Sequence, residues 1–199
     1  MVETTRRREI EDVASELFRE HGYSGTSVRD IARALDIQGA RLYSHVASKQ
    51  DVLWSIVDGT ATQFETSADE ALAGVDAAEP LARLHALVRA HVGVVLEDVG
   101  RASVFVHEWR ALGPERRART LERRDAYEGR FREIIEAGIS SGVIAAVDPT
   151  VAAAYLLTAL NGLVAWYRPD GRLDPDEVAD AYAELSLRAV AGVAAGQPS

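Results

Sequence analysis

Residues 26–49 read TSVRDIARALDIQGARLYSHVASK, and this stretch decides the fold. Val28, Ile31, Ala32 and Leu35 fall at helical spacing and make one apolar stripe. A short second helix follows, in which only Ile37, Leu42 and Val46 point inward. Gln38, Arg41, Tyr43, Ser44 and His45 are left facing out. Ser27 with Asp30 three residues on has the spacing of a capping box, and Asp36 sits where a tight turn needs a left-handed residue. Two short helices around such a turn, the second showing hydrogen-bonding side chains, suit the major groove of DNA.

The flanks fit that reading. Thr26 and Ser27 lie where a hydroxyl and free N–H groups meet a phosphate. Ser48 precedes Lys49-Gln50-Asp51, a helix start that sets Lys49 as a second phosphate contact. Arg41 is expected to read guanine and Gln38 adenine, with Gly39 and Ser44 as further DNA contacts, while Tyr43, His45, Lys49 and Thr26 position the backbone. Arg6 to Arg8 open the first helix, and Arg6 is taken as a further DNA contact.

Thr26, Val28, Ile31, Ala32, Leu42, Tyr43, His45, Ser48 and Lys49 resemble, in order and spacing, the DNA-binding domain of the TetR family of one-component transcriptional regulators. The stretch departs from the family pattern at Asp36, Gln38, Ala40 and Val46. The resemblance implies an all-α fold of about nine helices. A three-helix domain over residues 1–48 (helix-turn-helix about 27–46) would precede a ligand-binding and dimerisation domain over 49–199. A second resemblance lies in Trp166-Tyr167-Arg168-Pro169-Asp170-Gly171-Arg172-Leu173. It is similar to a W-Y-R-P-x-G-x-L signature of the branch that includes regulators of fatty-acid, sterol and acyl-CoA catabolism.

Composition is compatible with these expectations. The 199 residues carry a formal net charge of −9, yet residues 1–50 are neutral and the acidity lies beyond them. An acidic body beside a neutral, Arg-bearing module limits non-specific DNA binding. There is no Cys, so disulfides and thiolate metal sites are excluded. There is no nucleophile elbow, Gly-rich phosphate loop or His-Glu-x-x-His pattern, so no catalytic residue, metal or cofactor is expected and the chain is not read as an enzyme. No twenty-residue apolar span is seen, so a cytoplasmic protein without a membrane partner is expected.

Periodicity predicts helices over about 5–21, 49–73, 80–99 and 115–141, then two more opened by Asp148-Pro149 and Asp174-Pro175. Gly100 is read as the break after the helix ending at Val99. The last helix carries Val193, and Gln197 to Ser199 are expected to be disordered. The last two helices have more apolar surface than one core needs, which fits a two-fold interface with a second copy. Tyr155, Leu163, Trp166, Tyr182, Leu185 and Ala189 are its candidates.

The resemblance also implies an effector pocket in the second domain. Trp54, Phe64, His85, His91 and Phe105 are candidate lining residues, as are Glu108, Trp109, Tyr127 and Phe131. The expected partners are palindromic double-stranded operator DNA, a second copy of the chain and a small-molecule effector, an acyl-CoA or fatty acid among the options. The alternatives are a different hydrophobic or efflux-type ligand, or a helical scaffold whose DNA module has decayed.

Overall fold

The computed structural model describes residues 2–191 and is all-helical there, with ten α-helices and one 3-10 turn. The helices are α1 (Val2–Gly25), α2 (Val28–Ala34), α3 (Gly39–Leu42), α4 (Lys49–Ala73) and α5 (Pro80–Glu97). They continue as α6 (Val99–His107), the turn Trp109–Ala111, α7 (Pro114–Ser140), α8 (Pro149–Asn161), α9 (Leu163–Trp166) and α10 (Pro175–Ala191). Val193 and Gln197 to Ser199 lie outside the described residues. The chain forms two compact units, one of residues up to 62 with 98–123, the other of 63–97 with residues from 124 on. Helices α4 and α7 each give their first part to the former and their second part to the latter.

In the first unit, α1 packs on α6 and on α2, and α2 on α3. Ile10, Ala14 and Phe18 of α1 are buried with Ile31, Leu42, Val46, Leu53 and Ile56. Each of these side chains larger than alanine contributes about 1.5–3 kcal/mol by leaving water. Helix α1 is broken at Gly22, whose φ of +74° and ψ of 158° no side-chain-bearing residue adopts cheaply. The break turns Tyr23 back so that its ring meets Phe18 edge-on at 5.3 Å.

Polar ties hold α1 to α6 and α4. Arg101 of α6 reaches Glu11 at 3.1 Å and Asp12 at 2.8 Å, and Glu11 also pairs with Arg7 and accepts from the Ser55 hydroxyl. Arg101 and Glu11 are largely buried, so each depends on the other for its solvation. Arg101→Ala is expected to lower stability by about 2 kcal/mol, read as a reduced melting temperature without loss of helix content.

The α5–α6 break falls at Asp98, not at Gly100 as the sequence suggested. The Asp98 carboxylate accepts from the Arg101 N–H and caps α6, so the cap chemistry outranks the glycine. Gly100 lies inside α6, where an added Cβ would stand 2.5 Å from the Glu16 carboxylate of α1. The expected caps at Asp148 and Asp174 are present: Asp148 accepts from the Thr150 and Val151 N–H groups, and Asp174 from that of Glu177. The apolar run from 149 on is not one helix but α8 and α9, divided at Gly162.

In the second unit, α10 lies along α5, with α8 and α9 also against α5. Leu84, Leu87, Val88, Val92 and Val95 of α5 are buried with Phe131, Ile135, Leu156, Leu160 and Val190. Gly142, at φ +77°, reverses the chain after α7, and Ile144 folds back over Gly138, where a Cβ would stand 2.5 Å from Ile144 Cδ1.

Candidate nucleic-acid interface and ligand site

The helix-turn-helix is built as its local chemistry requires. Ser27 Oγ accepts from the Asp30 N–H at 3.2 Å, and the Asp30 carboxylate accepts from the Ser27 N–H at 2.9 Å. The Ser27 hydroxyl also donates to that carboxylate at 2.6 Å, and this bond first, then the one from the Ser27 N–H with Arg33 nearby, holds the Asp30 carboxyl below its ordinary range. Asp36 turns the chain at φ +52°, the one positive-φ non-glycine among the described residues. An open groove at the turn is lined by Arg29, Ala32, Arg33, Asp36, Ile37, Gln38 and Gly39.

Leu42 and Val46 are buried and fix the face of α3. Gln38, Arg41, Tyr43 and Ser44 are exposed beside them, Tyr43 with 56 % of its surface free. The regular part of α3 is four residues long, but turns continue it: His45 N–H donates to Leu42 O at 2.9 Å and Val46 N–H at 3.1 Å. The Ser44 hydroxyl bonds back to Arg41 O. His45 is half-buried and its Nδ1 has no partner.

Two expected phosphate contacts are turned inward. The Thr26 hydroxyl is buried and donates to Leu17 O and Gly22 O, which the break at Gly22 leaves open. Lys49 Nζ donates to Tyr23 O at 2.8 Å and Thr26 O at 2.7 Å, and lies 4.0 Å from the centre of the Tyr23 ring. Both side chains stabilise the end of α1 rather than present a polar group outward. Arg6 pairs with Glu9 at 2.6 Å on the surface, a weak tie.

At the start of α4, Asp51 accepts from the Ser48 hydroxyl and pairs with Arg116 of α7. Those two contacts, Ser48 first, hold its carboxyl below the ordinary range. Gln50 donates to Ala111 O and accepts from the Gly113 N–H. The first turn of α4 is thereby fastened to the Trp109–Ala111 turn and the head of α7.

The aromatic candidates divide between the units. Trp54, Phe105, Glu108 and Trp109 belong to the first, with Arg116 and Arg119 over the Trp54 ring. Phe64, His85, His91, Tyr127 and Phe131 belong to the second, and all but half-buried His85 are buried there. His91 stacks on Phe64 at 4.6 Å and meets Tyr127 at 5.7 Å and Phe131 at 6.4 Å. Its Nδ1 lies 3.2 Å from the Tyr127 hydroxyl. Burial pushes the imidazole down to about 3, with Arg124 adding to the fall and Asn161 opposing it, and burial pushes the Tyr127 phenol up.

His91 Nε2 and, at the end of α8, Asn161 Oδ1 are buried without hydrogen-bond partners. An unanswered polar atom costs about 1–3 kcal/mol, so such a pair calls for a ligand or a water. Sequence reading singled out His91 but not Asn161. The signal was there, since Asn161 is the one amide in a largely apolar run from 152 to 166.

The lowered His91 value has a pH consequence. Below about 6.5 the unfolded chain takes up a proton that the buried ring refuses, so this contribution is full above 6.5 and is lost as pH falls toward about 3. His91→Phe is expected to flatten the fall in melting temperature between pH 6.5 and 4, measured by calorimetry against the parent chain.

The expected two-fold face is largely open. Tyr155, Trp166 and Leu185 expose 62 %, 50 % and 61 % of their surface, Ala189 is exposed and Tyr182 half-buried. The Trp166 indole N–H donates to the Tyr182 hydroxyl at 3.1 Å. Leu163 differs from the other candidates: it is fully buried in the core of its own unit and is not part of the open face. The stretch Pro149–Trp166 is long and apolar enough to cross a membrane by length and composition alone, but its apolar side chains partly pack on α5 and α10. Among the described residues no group of three or more His, Asp or Glu is placed to hold a metal.

Residues 10–56 match the profile of the bacterial regulatory proteins of the tetR family, and residues 77–190 that of the tetracyclin repressor-like C-terminal domain. The HTH-type transcriptional repressor KstR2 of Rhodococcus jostii (strain RHA1) is 31 % identical over 192 residues, covering 94 % of this chain and 91 % of the relative. The TetR family regulator PfmR of Thermus thermophilus has 34 % identity and a TM-score of 0.78, covering 89 % of this chain and 96 % of PfmR. AibR, solved in complex with isovaleryl coenzyme A and operator DNA, has 30 % identity and a TM-score of 0.79, covering 90 % of this chain and 97 % of AibR. With both profiles in register and relatives aligned along nearly the whole length, this chain belongs to the TetR family of bacterial regulatory proteins.

Proposed function

We propose that the chain is a homodimeric repressor that holds a palindromic operator and is released by a small apolar effector. As a member of its family it is a transcriptional regulator and not an enzyme. The observation that carries the reading is the exposed row Gln38, Arg41, Tyr43 and Ser44 on a helix seated by buried Leu42 and Val46. Residues 1–48 are the reading domain and 49–199 the sensing and dimerising domain, in the cytoplasm. Arg41 and Gln38 read bases in the major groove, while Tyr43, Ser44, His45, Ser27, Gly39 and Arg6 position the backbone.

The open face of α8, α9 and α10, with Tyr155, Trp166, Tyr182, Leu185 and Ala189, takes a second copy. Pairing the chain there offers two recognition helices to half-sites roughly 34–36 Å apart. The effector acts through its different affinity for the operator-bound and released spacings, a coupling of about 1–3 kcal/mol. An acyl-CoA is the first class to test, because AibR binds isovaleryl coenzyme A and Trp166 to Leu173 carry the catabolic-branch signature. The test is a gel shift on the promoter region of the chain's own gene, repeated with short- and long-chain acyl-CoAs. Retarded operator released by an acyl-CoA supports the proposal, and retention unaffected by any of them removes that effector class.

A further inference from the structure

The Tyr127 phenol, kept protonated by burial, has one proton to give, and the group it faces is His91 Nδ1 at 3.2 Å. Giving it there leaves the neutral imidazole's own proton on Nε2. Nε2–H is then a buried donor with no acceptor, and Asn161 Oδ1 a buried acceptor with no donor. The Asn161 side chain acts on the ring as a hydrogen-bonding group, yet neither Nε2 nor Oδ1 has a partner within full hydrogen-bond distance and angle. Around the imidazole stand Phe64, Tyr127 and Phe131.

An uncharged hydroxyl answers both atoms at once: its oxygen accepts from Nε2–H and its proton goes to Oδ1. A carboxylate answers only Nε2–H. It also sets negative charge against a carbonyl oxygen in an aromatic surrounding, where charge is costly. A hydrocarbon answers neither.

We propose that His91 and Asn161 are the polar anchor of the effector site, and that the effector presents to them an uncharged hydroxyl on an apolar skeleton. This deepens the reading of the chain as a ligand-responsive regulator and rests on it. The imidazole and the Asn161 amide take the hydroxyl between them, and the aromatic rings receive the carbon skeleton beside it.

The test uses the full chain, labelled with 15N, titrated with cyclohexanol, methylcyclohexane and cyclohexanecarboxylate. Cyclohexanol is expected to shift the His91 ring nitrogens and the Asn161 side-chain amide, and to bind about tenfold or more tightly than the other two. His91→Phe and Asn161→Leu are expected to erase that preference while melting no lower than the parent at pH 7. A hydrocarbon or carboxylate that binds as tightly as the alcohol overturns the proposal, as does failure of all three probes to bind. So do variants that keep the preference, or that merely melt lower with binding unchanged, the mark of a purely structural pair. Operator retention of the same samples without probe reports separately on the regulatory reading.

Discussion

Tyr43→Ala is expected to abolish operator retention while leaving the chain folded and dimeric. Tyr43 is the largest exposed side chain on the recognition element, and 56 % of its surface is free, so its removal takes nothing from the core. Buried Leu42 and Val46, which seat the element, are untouched. In the proposed role its loss takes one backbone clamp from each half-site, and a two-fold operator would double the effect. Arg41→Ala is the companion variant. A bidentate contact to guanine is worth about 1–3 kcal/mol, so two half-sites lose roughly 2–6 kcal/mol, with relaxed preference at the contacted position. Anisotropy titration on operator and scrambled duplexes measures both. Loss of the dimer in Tyr43→Ala would refute its assignment to DNA.

Leu185→Glu is expected to give a folded monomer that no longer holds the operator. Leu185 leaves 61 % of its surface open on α10, in the same exposed set as Tyr155 and Trp166. A carboxylate tolerated there by a lone chain would be desolvated, unpaired and facing its own symmetry mate in a two-fold contact. Sedimentation should show the monomer, circular dichroism an unchanged helix content, and anisotropy only weak, salt-sensitive binding. A dimer that survives the substitution would move the interface elsewhere.

The parts that sequence revealed are those decided within a turn or two of chain. The Ser27–Asp30 box, the left-handed Asp36 and the limits of α4 rest on local caps, and the structure keeps each. The exposed row from Gln38 to Ser44 followed from helical spacing alone. What remained hidden depends on distant chain. Thr26 and Lys49 are polar groups at helix ends, where a phosphate and a carbonyl are equally good partners. Their partners are the carbonyls of residues 17, 22, 23 and 26, in the last turns of α1 and just past its end. Leu163 sits in a stretch apolar on most sides, where spacing does not say which side faces a second copy. The aromatic candidates were gathered into one set, but α4 and α7 each serve both units, and composition does not mark where either helix passes from one to the other.

The most direct test of the account is a titration of the purified full chain against duplex DNA from the promoter region of its own gene, followed by anisotropy and by native mass at several salt concentrations. The account predicts two or more chains per duplex and an affinity that falls linearly in log–log form with salt, with a slope set by the phosphates contacted. A chain that stays monomeric, or that ignores double-stranded DNA even in dilute buffer, would contradict it.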